Sequence, residues 1–161
     1  MQPDGLGVSE ILRSAKVARL ATLSSGGRPS VNPLYFIQRR GEIWLGTADW
    51  TLAARNVAAD ERVTLLIDIE GHPHDQRVLR IHGRARLRAD RATIRAYNVG
   101  TLVRYVLNPG GILDLVQHAR QLPLRKAYYA QSAHRGRACV IAVTLEHVEL
   151  LSHGRSLRTR S

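Results

Sequence analysis

The chain has 161 residues, of which 44% are hydrophobic and 23% are charged, and this composition is typical of one folded globular domain. It excludes a disordered or fibrous protein, and no apolar run reaches the roughly 18–20 residues that cross a bilayer. The net charge of +11 raises nucleic acid as a ligand, yet the basic residues are spread along the chain without interleaved aromatic residues. We therefore expect an anionic cofactor or substrate, and neither a nucleic acid nor a membrane as a partner.

The N-terminus lacks the basic and apolar regions of a secretory signal, so we expect a cytoplasmic protein. Cys139 is the only cysteine and lies in an apolar run, which predicts a small core residue rather than a nucleophile. We expect a single domain over residues 1–161, with a helical insertion at about 89–130 and a frayed basic tail at 153–161.

The first half of the chain predicts a helix and then three antiparallel strands. Ser9 is the expected N-cap of a short helix that ends near Ala15. Strands are predicted at 17–23, 28–38 and 43–47, because these apolar stretches are separated by turn sequences. Pro29 and Pro33 cannot donate to a strand ladder, so the second strand is expected to be irregular or to lie at an edge.

A second helix is expected after the third strand, capped by Asp49 or Thr51, with an apolar stripe formed by Leu52, Ala53, Val57 and Ala58. Strands at 63–69 and 79–88 follow. The apolar spacing within the insertion predicts a helix that is broken near 108–111, followed by helices at 112–118 and 122–129. Strands at 138–145 and 147–151 complete a mainly β protein with helices, arranged as a small closed or split β-barrel.

Several segments resemble the pyridoxamine 5′-phosphate oxidase-like, flavin-binding split-barrel family. Residues 18–36 look like the opening hairpin of that family, and residues 42–47 resemble its third strand. Residues 51–56 are similar to its short helix beside the cofactor, and the sequence Asp60-Glu61-Arg62-Val63 is similar to the entry to its next strand. The resemblance continues through 78–87 and covers about half of the chain.

The resemblance implies a homodimer with flavin mononucleotide (FMN) or a deazaflavin coenzyme in a groove between the subunits. It further implies an oxidoreductase that transfers a hydride to or from a small-molecule substrate. Carried onto this chain, Val31, Asn32, Pro33 and Leu34 would face the ring of the cofactor. The resemblance also implies five residues that would lie near the phosphate or the ribityl chain of the cofactor: Thr47, Ala48, Thr51, Arg55 and Asn56.

One position departs from the family pattern. Many members have a lysine that pairs with the cofactor phosphate at the position of Ala53, and an alanine supplies neither a donor nor a charge. Arg55, Arg28 or an arginine within 80–88 would then replace the lysine, because arginine binds phosphate through two parallel hydrogen bonds. The alternatives are that Ala53 simply packs, or that the usual cofactor is not bound.

Two other functions stay open. Some relatives bind or degrade haem, and His82 on a strand and His118 in the insertion are the candidate iron ligands, whereas His72 and His74 lie in a polar loop. The chain could instead be a non-catalytic dimeric ligand-binding module. In such a module the insertion would restrict the groove or form a dimer surface, the alternative being a core-packing helix pair. Its tyrosines are Tyr97, Tyr105, Tyr128 and Tyr129.

No catalytic residue can be assigned from the sequence, although Tyr35 and His82 are candidates for substrate contact, with the Tyr35 hydroxyl expected at the surface. No catalytic triad, phosphate-binding glycine loop or zinc-ligand spacing is present in the sequence. We therefore predict no metal site from these patterns.

Overall fold

The computed structural model describes residues 5–70, 75–105, 107, 136–152 and 155–157. Three helices and seven strands alternate along these residues. In chain order they are α1 Gly5–Ser14, β1 Val17–Leu23, β2 Pro29–Arg39, β3 Glu42–Ala48, α2 Leu52–Ala59, β4 Arg62–Asp68, β5 Arg77–Arg88, α3 Arg91–Tyr105, β6 Ala138–Ser152 and β7 Arg155–Leu157.

The strands form one antiparallel sheet in the order β3-β2-β1-β4-β5-β6-β7. An additional pairing of β3 with β6 closes β1 to β6 into a six-stranded barrel. Side chains alternate between the two faces, and the inward residues Leu20, Leu65 and Ile81 are completely buried. The expected split β-barrel is thus confirmed.

The barrel is split between β2 and β3. Residues 29–35 of β2 pair with β1, whereas β3 pairs only with residues 36–39 of β2. Beyond that point β3 continues along β6 alone. Among the described strands, none covers the side of residues 29–35 that faces away from β1, so this half of β2 is the edge that Pro29 and Pro33 predict.

The helices occupy two different surfaces. Residues Ile11 and Leu12 of α1 and Ala53 and Val57 of α2 belong to the apolar cluster inside the barrel. Helix α3 instead packs on the outside, where its partly buried residues cover a second cluster formed by Ile37, Trp44, Val140 and Ala142. Within the described part of the chain, no helix is long and apolar enough to cross a membrane.

Both N-terminal helices differ in detail from the sequence-based expectations. Ser9 lies inside α1 instead of capping it, because the helix begins at Gly5 and carries Val8 onto the core. The buried side of α2 includes Ala54 and Asn56, while Leu52 and Ala58 are exposed.

The two strands expected near the C-terminus are one continuous strand, β6, with a bulge at Glu146. Residues 155–157 of the expected frayed tail form β7, because they pair with the end of β6. The helices expected at 112–118 and 122–129 lie outside the described residues, as do His72, His74, His118, Tyr128 and Tyr129.

Candidate functional site

Residues 29–35 of β2, which pair with β1 but not with β3, form the open half of this strand at the split in the barrel. Val31 and Pro33 point outward, and the Val31 side chain is 60% exposed, which is unusual for a strand residue of this type. Asn32 and Leu34 point inward and are partly buried; the Asn32 amide donates to Ser30 Oγ at 3.0 Å. The structure therefore places the four residues implied to face a cofactor ring along one open strand edge.

Two tyrosines of α3 form hydrogen bonds with the backbone near the point where β2 separates from β3. The Tyr97 hydroxyl donates to the carbonyl of Tyr35 at 3.0 Å, and its ring lies so close to Gly46 of β3 that a side chain there would overlap it. The Tyr105 hydroxyl lies 2.5 Å from the carbonyl oxygen of Phe36 and 2.9 Å from that of Lys16. These side chains contact backbone groups of β2 near the point where its pairing with β3 ends.

The loop between β3 and α2 is organised by Thr51. Its hydroxyl donates to the Ala48 carbonyl at 2.9 Å and accepts the Ala54 N–H at 3.2 Å, which makes Thr51 the N-cap of α2. Thr47 Oγ1 lies 2.9 Å from Thr51 Oγ1. The first N–H groups of α2, those of Leu52 and Ala53, have no acceptor within the helix and point out of its N-terminus.

The side chains of α2 differ in what they can offer to a ligand. Asn56 is only 4% exposed and donates to Thr22 Oγ1 at 3.0 Å, so it ties α2 to β1 inside the barrel. Ala53 is 2% exposed and packs in the core, and a lysine at this position would have to leave that core. Arg55 is exposed and forms no ion pair with any residue that the structure describes.

The arginines that were expected to replace the missing lysine fall into two groups. Those of β5 are bound to carboxylates of the same barrel wall: Arg80 to Glu149, Arg84 to Glu61 and Glu146, and Arg86 and Arg88 to Glu42. Arg28, which precedes β2, and Arg55 have no such partner in the described part of the chain. This leaves Arg28 and Arg55 as the arginines that are free to bind an anion near the split.

An apolar surface adjoins the start of α2, and the sequence analysis assigned it no role. Trp50 and Leu52 are 43% and 46% exposed on either side of the capping residue. Asp49 next to them is bonded through its backbone and its carboxylate to Arg137, which precedes β6. A tryptophan and a leucine on either side of an expected N-cap residue would have been the available signal in the sequence.

Of the remaining candidates, Tyr35 lies on the open edge of β2 and His82 lies away from it. Tyr35 is 43% exposed, as expected. His82 is exposed on the outer face of β5, with Thr64 of β4 and Ala21 of β1 between it and Val31 of β2 in one row of paired residues. Strands are spaced by about 4.8 Å, so the row separates His82 from Val31 by roughly 14 Å.

Cys139 is 3% exposed, as expected for a core residue, and burial raises the pKa of its thiol, assisted by the nearby Asp49 carboxylate. Three or more metal-ligating side chains do not come together anywhere in the described part of the chain.

The family model of pyridoxamine 5′-phosphate oxidase matches residues 8–152. Among solved structures, a conserved hypothetical protein from Mycobacterium tuberculosis has a TM-score of 0.66 at 19% identity, covering 95% of this chain and 86% of the other. An F420 reductase has a TM-score of 0.60 at 17% identity, with 87% and 94% covered.

A heme binding protein from Mycobacterium smegmatis has a TM-score of 0.63 at 20% identity, covering 97% of this chain and 57% of the other. No curated protein sequence matches the chain. At these identities the structural similarities establish the fold.

Proposed function

Because the chain belongs to the pyridoxamine 5′-phosphate oxidase family, we propose that it is an oxidoreductase that binds FMN or a deazaflavin coenzyme along the open half of β2. The observation that carries this proposal is an open strand edge together with a capped helix N-terminus, whose arginine has no ion-pair partner among the described residues. A flat ring with a phosphorylated side chain needs both features.

The N-terminus of α2 fits the phosphate of such a cofactor. The N–H groups of Leu52 and Ala53 and the positive end of the helix dipole attract an anion. Arg55 lies one turn further along the helix and adds a full positive charge on the exposed side. Thr51 and Thr47 bond to each other and to the backbone, so their role is to fix the loop that presents these N–H groups.

The open edge of β2 fits the ring of the cofactor. Backbone N–H and C=O groups of residues 31–34 that do not pair with β1 are free to bond to the polar edge of a ring. Pro33 supplies no N–H, so a ring can approach it through van der Waals contact alone. Tyr97 and Gly46 bound the open stretch, because they mark the place where β2 rejoins β3.

The cofactor supplies hydride transfer when it is bound, and the chain supplies orientation and exclusion of water. The proposed substrate is a small molecule that reaches the exposed side of the ring. We assign no protein acid or base, because the tyrosine hydroxyls that contact β2 are bonded to backbone carbonyls. Burial raises the pKa of Tyr105, and its hydroxyl is already engaged with two backbone carbonyls.

A homodimer is part of the proposal, because one chain leaves the groove open on its outer side. Val31 and Tyr35 are exposed there, together with the two prolines of the same strand. Exposed apolar side chains on a strand edge favour a second protein surface. Light scattering after size exclusion tests this point, and a monomer at micromolar concentration would contradict it.

The test of the cofactor assignment is a titration of cofactor-free protein with FMN, the deazaflavin coenzyme and riboflavin, followed by absorbance and fluorescence. We expect Arg55→Ala to weaken FMN binding by about 10- to 100-fold, because it removes charge-assisted hydrogen bonds to the phosphate. The same variant should leave the weaker riboflavin affinity unchanged, because riboflavin has no phosphate. Arg95→Ala, which alters another exposed helical arginine, is the matched control and should bind FMN like the wild type.

Two outcomes would overturn the proposal. If neither coenzyme binds saturably, the cofactor assignment is wrong. If Arg55→Ala weakens riboflavin and FMN equally, the phosphate does not lie at α2. Saturable binding without turnover of any hydride donor or acceptor would instead favour the non-catalytic ligand-binding module.

Haem binding is the second candidate, supported by the shared fold with the heme binding protein from M. smegmatis. His82 is exposed and could reach an iron atom outside the barrel. A haemin titration that gives a sharp Soret band, lost in His82→Ala or His118→Ala, would support this candidate. A band that survives both substitutions would remove these two histidines as ligands.

A further inference from the structure

The two histidines that the structure describes lie side by side on neighbouring strands. His82 of β5 and His147 of β6 are paired in the sheet, and their rings are stacked with centroids 6.3 Å apart and planes inclined by 18°. Both side chains face outward, and the His147 side chain is 44% exposed. The chain thus presents two imidazoles to solvent at one place on the barrel wall.

The β-bulge in β6 is what brings the two rings together. Gly83 pairs with Leu145 and His82 pairs with His147, so Glu146 is the extra residue. Glu146 and His147 are consecutive, yet both contact outward-facing partners, Arg84 and His82 respectively. In a regular strand one of the two would point into the core.

Each ring is held by one of its nitrogen atoms, which leaves the other nitrogen available. His82 Nδ1 lies 2.9 Å from Thr64 Oγ1, and His147 Nε2 lies 3.2 Å from Glu149 Oε1. Glu149 is itself bound to Arg80. A carboxylate or hydroxyl bonded to one imidazole nitrogen, with the other nitrogen unprotonated, is the arrangement found around metal-ligating histidines.

We propose that His82 and His147 form a binding site for a divalent first-row transition-metal ion, with His82 Nε2 and His147 Nδ1 as ligands and water in the other positions. An ion held at about 2.1 Å by one nitrogen of each ring requires ring centroids roughly 5–6.5 Å apart. The observed 6.3 Å lies at the upper end of this range, and the two stacked rings would turn about their side-chain bonds to aim both nitrogen atoms at one ion. Imidazole ligands favour copper, nickel and zinc over calcium and magnesium.

The site does not depend on the cofactor assignment, because it lies three strands away from the open edge of β2. Its ligands come from β5 and β6, and the bonds that orient them come from β4 and β6. All four residues are on strands of the closed part of the barrel, so the positions of their backbones are fixed before an ion arrives.

Calorimetric titration of the untagged protein with Cu²⁺, Ni²⁺, Zn²⁺ and Mg²⁺ tests the proposal. We expect one Cu²⁺ per chain, weaker binding of Ni²⁺ and Zn²⁺, and no binding of Mg²⁺ at this site. His82→Gln and His147→Gln should each weaken Cu²⁺ binding at least about 10-fold, and Glu149→Gln should weaken it by a smaller factor because it only orients a ligand. The matched control is the double variant His72→Gln/His74→Gln, which should keep the tight site.

The wild-type protein provides a second readout that needs no variant. The electron paramagnetic resonance spectrum of the Cu²⁺ complex should show coupling to two equatorial nitrogen atoms. Unchanged Cu²⁺ affinity in both His82→Gln and His147→Gln would overturn the proposal, as would loss of the tight site in the control variant alone.

Discussion

The carboxylate of Glu42 joins β3 to β5 in the barrel wall, and its replacement by glutamine should measure how much these contacts stabilise the barrel. Glu42 of β3 accepts from Trp44 Nε1 at 2.9 Å, from Arg86 at 2.5 Å and from Arg88 at 3.2 Å. Only 13% of its side chain is exposed. The guanidinium groups of Arg39 and Arg88 also lie over the Trp44 ring, at 5.7 Å and 5.3 Å from its centroid.

Glu42→Gln keeps the shape of the side chain and removes its charge, so the arginines lose charge-assisted acceptors. Hydrogen bonds to charged groups contribute about 1.5–3 kcal/mol each, and solvent around the exposed Arg86 recovers part of this, so we expect a loss of about 2 kcal/mol. For a chain of this length that lowers Tm by about 4–8 °C. The matched control is Glu61→Gln, whose side chain also binds an arginine of β5 but is 56% exposed, and its Tm should change by less than about 1 °C.

The pH dependence provides an independent check by calorimetry or circular dichroism. Burial raises the pKa of Glu42, but the bond from Trp44 and the charges of Arg88 and Arg86 outweigh it, so the pKa lies below the ordinary 4.5. The stabilisation is therefore present above about pH 4.5 and is lost as the pH falls through the lowered pKa. The Tm difference between wild type and Glu42→Gln should shrink below that pH. Equal Tm losses in Glu42→Gln and Glu61→Gln at pH 7 would refute this reasoning.

Two further substitutions and one thiol-reactivity assay test other contacts. Gly46→Ala should lower both Tm and FMN affinity, because its new methyl group overlaps the Tyr97 ring, and Gly46→Ala/Tyr97→Ala should recover part of the stability. Gly83→Ala should abolish soluble expression, because a methyl group there meets the backbone carbonyl of Thr144, which cannot move without breaking the bulge. Cys139 should react with a thiol reagent at pH 8 only after unfolding, since burial raises its pKa and blocks access; prompt reaction in the native protein would contradict its core position.

Strand positions could be predicted from the sequence because each strand has one buried face. The alternation in 17–23 matches β1 residue for residue, and that in 79–88 lies within β5. The bulge at Glu146 could not be predicted, because two outward residues in succession look like the end of one strand and the start of another. Strand β7 was missed for a related reason: its three residues are ordered by pairing with β6, which no local pattern encodes.

The candidate site shows the same division between local and non-local information. The N-cap of α2 could be narrowed to Asp49 or Thr51 from the sequence, because capping is a local interaction, and the structure shows that Thr51 is the cap. The burial of Asn56 depends on Thr22, which lies 34 residues away, so the sequence did not distinguish it from an exposed ligand. The same applies to Ala53, whose position in the core follows from how α2 packs on the barrel.

The distribution of ion pairs explains where an anion can bind on this basic protein. Asp and Glu number 13 in the whole chain, and those on the barrel wall are bound to arginines of β1, β4 and β5. The excess positive charge is therefore carried by arginines outside those pairs, including Arg28 and Arg55 beside the split. An anion that approached Arg80 or Arg84 would have to displace a carboxylate that is already bonded, whereas Arg55 has no such carboxylate among the residues that the structure describes. Added salt should consequently weaken FMN binding in the wild type more than in Arg55→Ala, because the screened attraction is the one that this variant removes.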